Sequence, residues 1–314
     1  MTVWYNLWKG FGTVKAAARL ILFLYVVNLA FALVLAVPLH RSLAESIGRS
    51  DAGDRLAKGF DYVWWEEYRD RGRGLSRSFG PSVIGRGALL NNLEGLVEMR
   101  FVEWPSGILL VLLVFLVTRA FLAGGTLDLF RRQTPRFAPR PYLEAALTRF
   151  PTFLGLMLLS WFFFGLIGFL LRPWLRGLVE RLASRALTEV TGFWAGLGAS
   201  AVVWALLLVV QMIFDYARIK SVLRERRSVL RSFLDGSGFV LRHPAATLGL
   251  AGLLFLGGAG LSAAYVLARE AVGQGSVGGA FLGFALQQAF LLGLIGLRCW
   301  AYAGQMHLAR YFEP

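Results

Sequence analysis

Six stretches of the chain stay apolar for about 20 residues each, the length that carries a helix across a ~30 Å hydrocarbon layer. They cover 19–39, 107–127, 151–171, 194–214, 245–267 and 280–300. Three amphipathic segments lie between them, with apolar positions at helical spacing. From Pro141 to Phe150, the residues Tyr142, Leu143, Ala146, Leu147 and Phe150 make one stripe. Pro141 takes the first position of this short surface helix and Glu144 lies near its positive end. After Arg172-Pro173, which ends the third span, Leu175, Leu178, Val179, Leu182 and Ala186 line a second surface helix. From Arg218 to Arg231 a basic helix follows the fourth span, with Ile219, Val222, Leu223, Leu230, Phe233 and Leu234 on its apolar side. The pattern predicts an all-α fold: an integral membrane bundle of six transmembrane helices with interfacial amphipathic helices, forming a single membrane domain over 1–314. A cleavable signal peptide is the alternative for the first stretch. No clear small-x-small cleavage site follows it, so it reads as a span.

Residues 40–106 are the one long connection, with ten Lys/Arg against ten Asp/Glu. Phe60 to Tyr68 is its densest aromatic segment, and Leu89, Leu90, Leu93, Leu96 and Val97 repeat at helical spacing. So short a segment builds a core only with help, so it is expected to lie on the spans and outside the cytoplasm. Charge sets that orientation. The tails and connections on the N-terminal side hold sixteen Lys and Arg, against five in the short connections opposite. Basic residues stay inside in short loops. Both termini are therefore placed in the cytoplasm, and the chain in a bacterial cytoplasmic (inner) membrane.

Span ends repeat. Leu127-Asp128-Leu129-Phe130-Arg131 leaves the second span and Phe214-Asp215-Tyr216-Ala217-Arg218 leaves the fourth. Arg149-Phe150-Pro151 enters the third and Arg242-His243-Pro244 enters the fifth. Residues 10–15 and Tyr302-Ala303 read as a degenerate third entry and exit. The unit is then surface helix, span, outer connection, span, three times over in one direction, unlike inverted repeats. Chance likeness between arginine-rich span ends is the other reading. On these segments the layout resembles that of uncharacterised bacterial multi-pass families, including the membrane region attached to some glycerophosphodiester phosphodiesterases. The resemblance covers the spans but not the first outer loop, and it carries over no functional residue.

Composition narrows the chemistry. The chain is 56% hydrophobic with a net charge of +14 and mean hydropathy +0.57. The positive excess concentrates at span ends, where anionic lipid headgroups attract it, which points to a lipid bilayer and not to nucleic acid. The lone Cys299 excludes an internal disulfide. His40, His243 and His307 share no ligand spacing. No cofactor and no catalytic constellation is read.

Arg119 is the sharpest feature, about 12 Å from the inner end of its span. Asn28 and Ser160 fall at similar depth. The three make either a site for an anionic group or a knot of interhelical hydrogen bonds. Asp128 and Asp215 are expected to pair with Arg131 and Arg218, three residues on. Trp64 and Trp65 form a candidate outer aromatic patch that stacks a sugar or lipid headgroup, or anchors the loop at the interface. Small-residue strips, Gly192-x3-Gly196-x3-Ser200 and Ala245-x3-Gly249, read as helix contacts. The leading expectation is a non-enzymatic scaffold or accessory subunit with a membrane-protein partner or in a homo-oligomer. The alternatives are a transporter or channel for a small or anionic solute with Arg119 at its centre, and an intramembrane enzyme.

Overall fold

The computed structural model describes residues 2–48, 61–72, 74–79, 106–132, 136–185, 189–272 and 276–313, with isolated positions 53 and 55. The leucine repeat at 89–97 and Ala186 lie outside the described residues. Every described element is helical. In order they are α1 (Thr2–Ala16), α2 (Ala18–Ile47), α3 (Tyr62–Arg71), a 3-10 turn (Gly74–Ser78), α4 (Ser106–Arg131), α5 (Pro139–Gly165), a π-helical turn (Leu166–Leu171), α6 (Arg172–Arg185), α7 (Glu189–Leu223), α8 (Val229–Arg242), α9 (Pro244–Ala271) and α10 (Val277–Phe312). Among the described residues six segments are long and apolar enough to cross a membrane, and they contain the six predicted stretches. The fold is all-α.

Three expected boundaries move. The third span does not begin at Pro151: α5 runs unbroken from Pro139 through it. An internal proline forfeits one backbone bond. Here Phe153 and Leu156, both fully buried, pack the helix just beyond it and offset that loss. The span does not end at Arg172-Pro173 either. The wider π turn ends at Leu171 and includes Phe169, the residue whose carbonyl the Pro173 ring would strike in a regular helix. The basic segment is not one helix. It breaks between Leu223 and Val229, where Glu225 takes a left-handed φ of 52°. The Arg226 N–H donates to the Ser221 carbonyl (2.9 Å) and the Glu225 N–H to that of Val222 (3.4 Å), which is a Schellman ending with glutamate in the usual glycine position. Ser228 then caps α8 by accepting from the Arg231 N–H.

The contacts divide the chain into two compact units. The first holds Met1–Ala17, Arg119–Leu254 and Cys299–Pro314. It contains α1, the ends of α4 and α10, α5 to α8 and the start of α9. Its interior lies at the arginine-rich ends of the helices. Tyr216, Phe153, Phe214, Phe239, Ile219 and Leu308 are all but fully buried there. Phe163, Phe214 and Phe233 stack with centroids 5.4–5.9 Å apart.

Small residues set the closest approaches. A β-carbon added at Gly236 of α8 would lie 2.5 Å from the Ala217 nitrogen of α7. One at Gly125 of α4 would lie 2.8 Å from the Tyr142 carbonyl of α5, and one at Gly10 of α1 would lie 2.6 Å from the Gly304 nitrogen of α10. The strips read from sequence contribute less. A β-carbon at Gly192 would lie a tight 3.1 Å from that of Ala183 and one at Gly249 an ordinary 3.7 Å from Val3, while nothing comes within 4 Å of a β-carbon at Gly196.

The second unit holds Ala18–Thr118 and Phe255–Arg298. Within it α3 lies on the C-terminal end of α2. Trp64 and Tyr68 stack (5.3 Å, 18°) and bury themselves with Leu43, Ile47 and Phe79. Asp61 caps α3 by accepting from the Val63 and Trp64 N–H groups. The Tyr25 hydroxyl donates to Gln288 at 2.7 Å, and Tyr265 stacks on Phe290.

Gly236→Ala is expected to destabilise by about 1–3 kcal/mol through the backbone clash. Gly238→Ala, with open space at its β-carbon, is expected to be neutral or to stabilise by up to about 1 kcal/mol. Thermal unfolding of the two variants in mild detergent checks the pair.

Candidate functional site

The arginine-rich end of the first unit gathers most of its charged contacts. Three long helices stop there, and each end is tied to the other two. Arg131 at the end of α4 pairs with Glu225 at the end of α7. Lys220 and Arg224 of α7 both reach Glu313, the residue after α10, at 2.7 and 2.6 Å. Arg310 of α10 donates to the Arg131 carbonyl at 2.6 Å. Arg224 also holds Asp235 of α8 at 2.8 Å.

Lys220 is the unusual member. Its side chain is 2% exposed and its ammonium lies 4.4 Å from the centre of the Phe239 ring. A buried lysine keeps its charge only with a partner and matching contacts. Glu313 supplies the partner. Burial alone would raise the Glu313 carboxyl above its ordinary 4.5, but Lys220 and Arg224 outweigh that and hold it below.

The residues between these ends complete a ring of contacts. The Arg149 guanidinium of α5 donates to the Ser221 carbonyl at 3.4 Å, and the Thr152 hydroxyl to that of Arg227 at 3.0 Å. The Tyr142 hydroxyl donates to the Leu122 carbonyl of α4 at 2.8 Å. His243, just after α8, stacks on Phe312 of α10 at 4.2 Å. The Trp300 indole N–H donates to the Leu7 carbonyl of α1 at 2.6 Å. Thr13 and His307 lie 2.8 Å apart.

The residues singled out from sequence fall as follows. Asp128 is buried between Arg131 (3.3 Å) and Arg132 (3.2 Å). Asp215, 2% exposed as a residue, accepts from Arg218 (3.2 Å) and Gln211 (3.0 Å). Arg119 is exposed on α4. The Asn28 amide donates to Leu24 and the Ser160 hydroxyl to Met157, each a carbonyl of its own helix. Neither is satisfied by a partner on another helix.

Trp64 is 5% exposed, and its indole N–H donates to Ser46 at 3.2 Å. It is therefore core to the α2–α3 corner and presents no open stacking face. Trp65 donates to the Phe79 carbonyl at 2.9 Å and carries the Arg69 guanidinium over its ring. Among the described residues no group of three or more His, Cys, Asp or Glu is placed to hold a metal.

Sequence reading missed Lys220, Arg224, Glu225, Asp235 and Glu313 as partners. One signal was present: Lys220 interrupts the Ile219, Val222 and Leu223 stripe, so a cation lay on a face that had to be covered. The lone acid of the C-terminal tail, Glu313, was its candidate.

Glu313→Gln is expected to destabilise by about 3–5 kcal/mol, because it leaves the buried ammonium unpaired. Adding Lys220→Met should restore part of the loss. The pH dependence has a fixed sign. A carboxylate depressed by the fold contributes stability that is complete above 4.5 and is lost as pH falls through its lower folded value. Thermal midpoints taken from pH 7 downward should fall below pH 4.5 more steeply in the native protein than in Glu313→Gln.

Compared with known protein families, with curated proteins and with solved structures, the chain matches none.

Proposed function

We propose that the chain is an integral protein of a bacterial cytoplasmic membrane that works as a scaffold or accessory subunit, through helix packing and lipid contact. The observation that carries this reading is the closed set of ties among the ends of α4, α7 and α10. Acidic side chains there are engaged by cations of the same chain, and the helix ends are held in one arrangement. Such an end suits a rigid platform better than a part that must open and close.

Apolar surface surrounds it. Trp4, Trp8 and Phe11 of α1, Leu143 and Leu147 of α5, and Leu230, Leu234 and Leu241 of α8 are all exposed. These are helix faces that lie in a lipid interface or against another membrane protein. Sixteen Lys and Arg on this side support its placement in the cytoplasm, with both termini.

The same contacts support a threefold repeat. α1, the start of α5 and α8 are its entry helices; the ends of α4, α7 and α10 are its exits. Each entry meets an exit at a small residue: Gly10 on Gly304, Tyr142 on Gly125, Gly236 on Ala217. The first of these pairs joins α1 to α10.

Purification in mild detergent followed by mass analysis tests the scaffold reading, which expects a membrane-protein partner or a homo-oligomer. Arg119→Leu separates it from transport. A well-folded variant that has lost solute flux in vesicles would overturn the scaffold reading. Topology is tested with a cysteine at Ser228 in a Cys299→Ser background. An impermeant thiol reagent outside intact cells is expected to leave it unmodified, and modification would overturn the orientation.

A further inference from the structure

Where the N-terminal and C-terminal helices of the first unit meet the end of α4, they leave a cavity of about 370 Å³. That is at the small end of the range for small-molecule sites. Three cations line it, one from each helix: Lys9 of α1, Arg132 just after α4, and Arg310 of α10. His307, Thr13 and Tyr5 add polar groups, and among the described residues no carboxylate belongs to the lining.

The state of each cation matters. Arg132 gives one amino group to Asp128 at 3.2 Å. Arg310 gives one to the Arg131 carbonyl at 2.6 Å. Each guanidinium has five N–H donors, so both retain donors after these bonds. Lys9 makes no ion pair among the described residues; its ammonium lies 5.0 Å from the Tyr5 ring centre. Lys9 is therefore uncompensated, and the other two are compensated in part.

Like charges gathered around one concavity raise its positive potential and attract an anion, even where water screens them. The rest of this end shows the contrast. Lys220, Arg224 and Arg131 each have a carboxylate of the chain. At the cavity Arg132 shares Asp128 with Arg131, whereas Lys9 and Arg310 have no carboxylate among the described residues.

We propose that this cavity binds a phosphoryl group, held by Lys9, Arg132 and Arg310. A tetrahedral dianion or monoanion accepts from several donors at once, and guanidinium forks match its oxygen spacing. The volume takes a phosphate with a small alcohol attached. Two sources share this chemistry: the headgroup of an anionic phospholipid and free inorganic phosphate. Trp4 and Trp8, exposed on α1 and next in sequence to the lining residues Tyr5 and Lys9, favour the lipid. The lipid source rests on the membrane reading above, whereas the phosphoryl site itself does not.

The test is calorimetric titration of the full chain in neutral detergent with three probes: inorganic phosphate, dioctanoyl phosphatidylglycerol, and dioctanoylglycerol, which lacks the phosphate. Saturable binding of phosphatidylglycerol alone assigns a lipid headgroup. Saturable binding of inorganic phosphate as well assigns a general phosphoryl site.

In either case Lys9→Gln and Arg132→Gln are each expected to weaken binding by about tenfold or more. Lys15→Gln, on the same helix but outside the cavity, should change it less than about twofold. Lys9 holds no structural pair, so its variant should unfold at the native temperature and any loss of binding is then local. The proposal is overturned if neither phosphate probe binds, if dioctanoylglycerol binds as well as phosphatidylglycerol, or if both cavity variants bind like the native protein. Phosphate binding that survives together with outside labelling at Ser228 would sink the cytoplasmic placement and leave the site standing.

Discussion

The structure depends on how three helix ends recognise one another. Each tie uses a different atom: the Glu225 carboxylate for Arg131, the Glu313 carboxylate for Lys220 and Arg224, the Arg131 carbonyl for Arg310. Buried or half-buried charge adds little net stability over an apolar contact of the same size. It does penalise wrong pairings, because a shifted helix would leave Lys220 buried without a partner. These contacts therefore act mainly on which arrangement forms. The packing that gives the arrangement its stability is the aromatic and aliphatic core just beneath them, around Phe214, Tyr216 and Phe239.

That core is at one end for a physical reason. Lipid tails are as apolar as leucine, so within the hydrocarbon there is no hydrophobic drive for helices to meet. Mid-span residues such as Leu158, Leu206 and Leu256 stay exposed. Beyond the hydrocarbon the solvent is water again, and burial becomes favourable. α10 has 36 residues, about 54 Å of helix, and so overruns a ~30 Å layer by more than ten residues. Its overrun, with those of α4 and α7, is where the interior lies. The left-handed Glu225 belongs to the same economy of position. Glycine would take that φ without the strain of ~1–2 kcal/mol, but it has no carboxylate for Arg131.

What the sequence disclosed follows from the same division. Six apolar stretches were legible because length and composition alone decide them. The Asp128–Arg131 and Asp215–Arg218 pairs were legible because they lie within one helical turn. Partners far apart in the chain were not, since Glu313 is 93 residues from Lys220. Local breakers misled in both directions. Pro151 and Pro173 suggested ends that the chain does not take. The break at Glu225, within Leu223-Arg224-Glu225-Arg226-Arg227-Ser228, has neither glycine nor proline to announce it. Counting along spans gave Arg119, Asn28 and Ser160 a common depth, but depth does not fix facing. Asn28 and Ser160 each turn back on a carbonyl of their own helix, as polar side chains in apolar helices do. Trp64 looked like surface because its neighbours are charged, yet helical spacing sets it with Tyr68 on the face that covers α2.

The seam between α1 and α10 has a further consequence. It joins residues almost a full chain apart: Thr13 to His307, Leu7 to Trp300, Gly10 to Gly304. α10 follows α1 to α9 in the chain, so this seam cannot close until those helices have been made. Until then Gly10 has no surface to approach and the Arg131 carbonyl has no Arg310. The cation-lined cavity lies on that seam, with Lys9 on the first helix and Arg310 on the last. It therefore exists only once α10 has been made. An anion bound there would bridge α1, α4 and α10, and would give Lys9 the partner that no carboxylate among the described residues supplies.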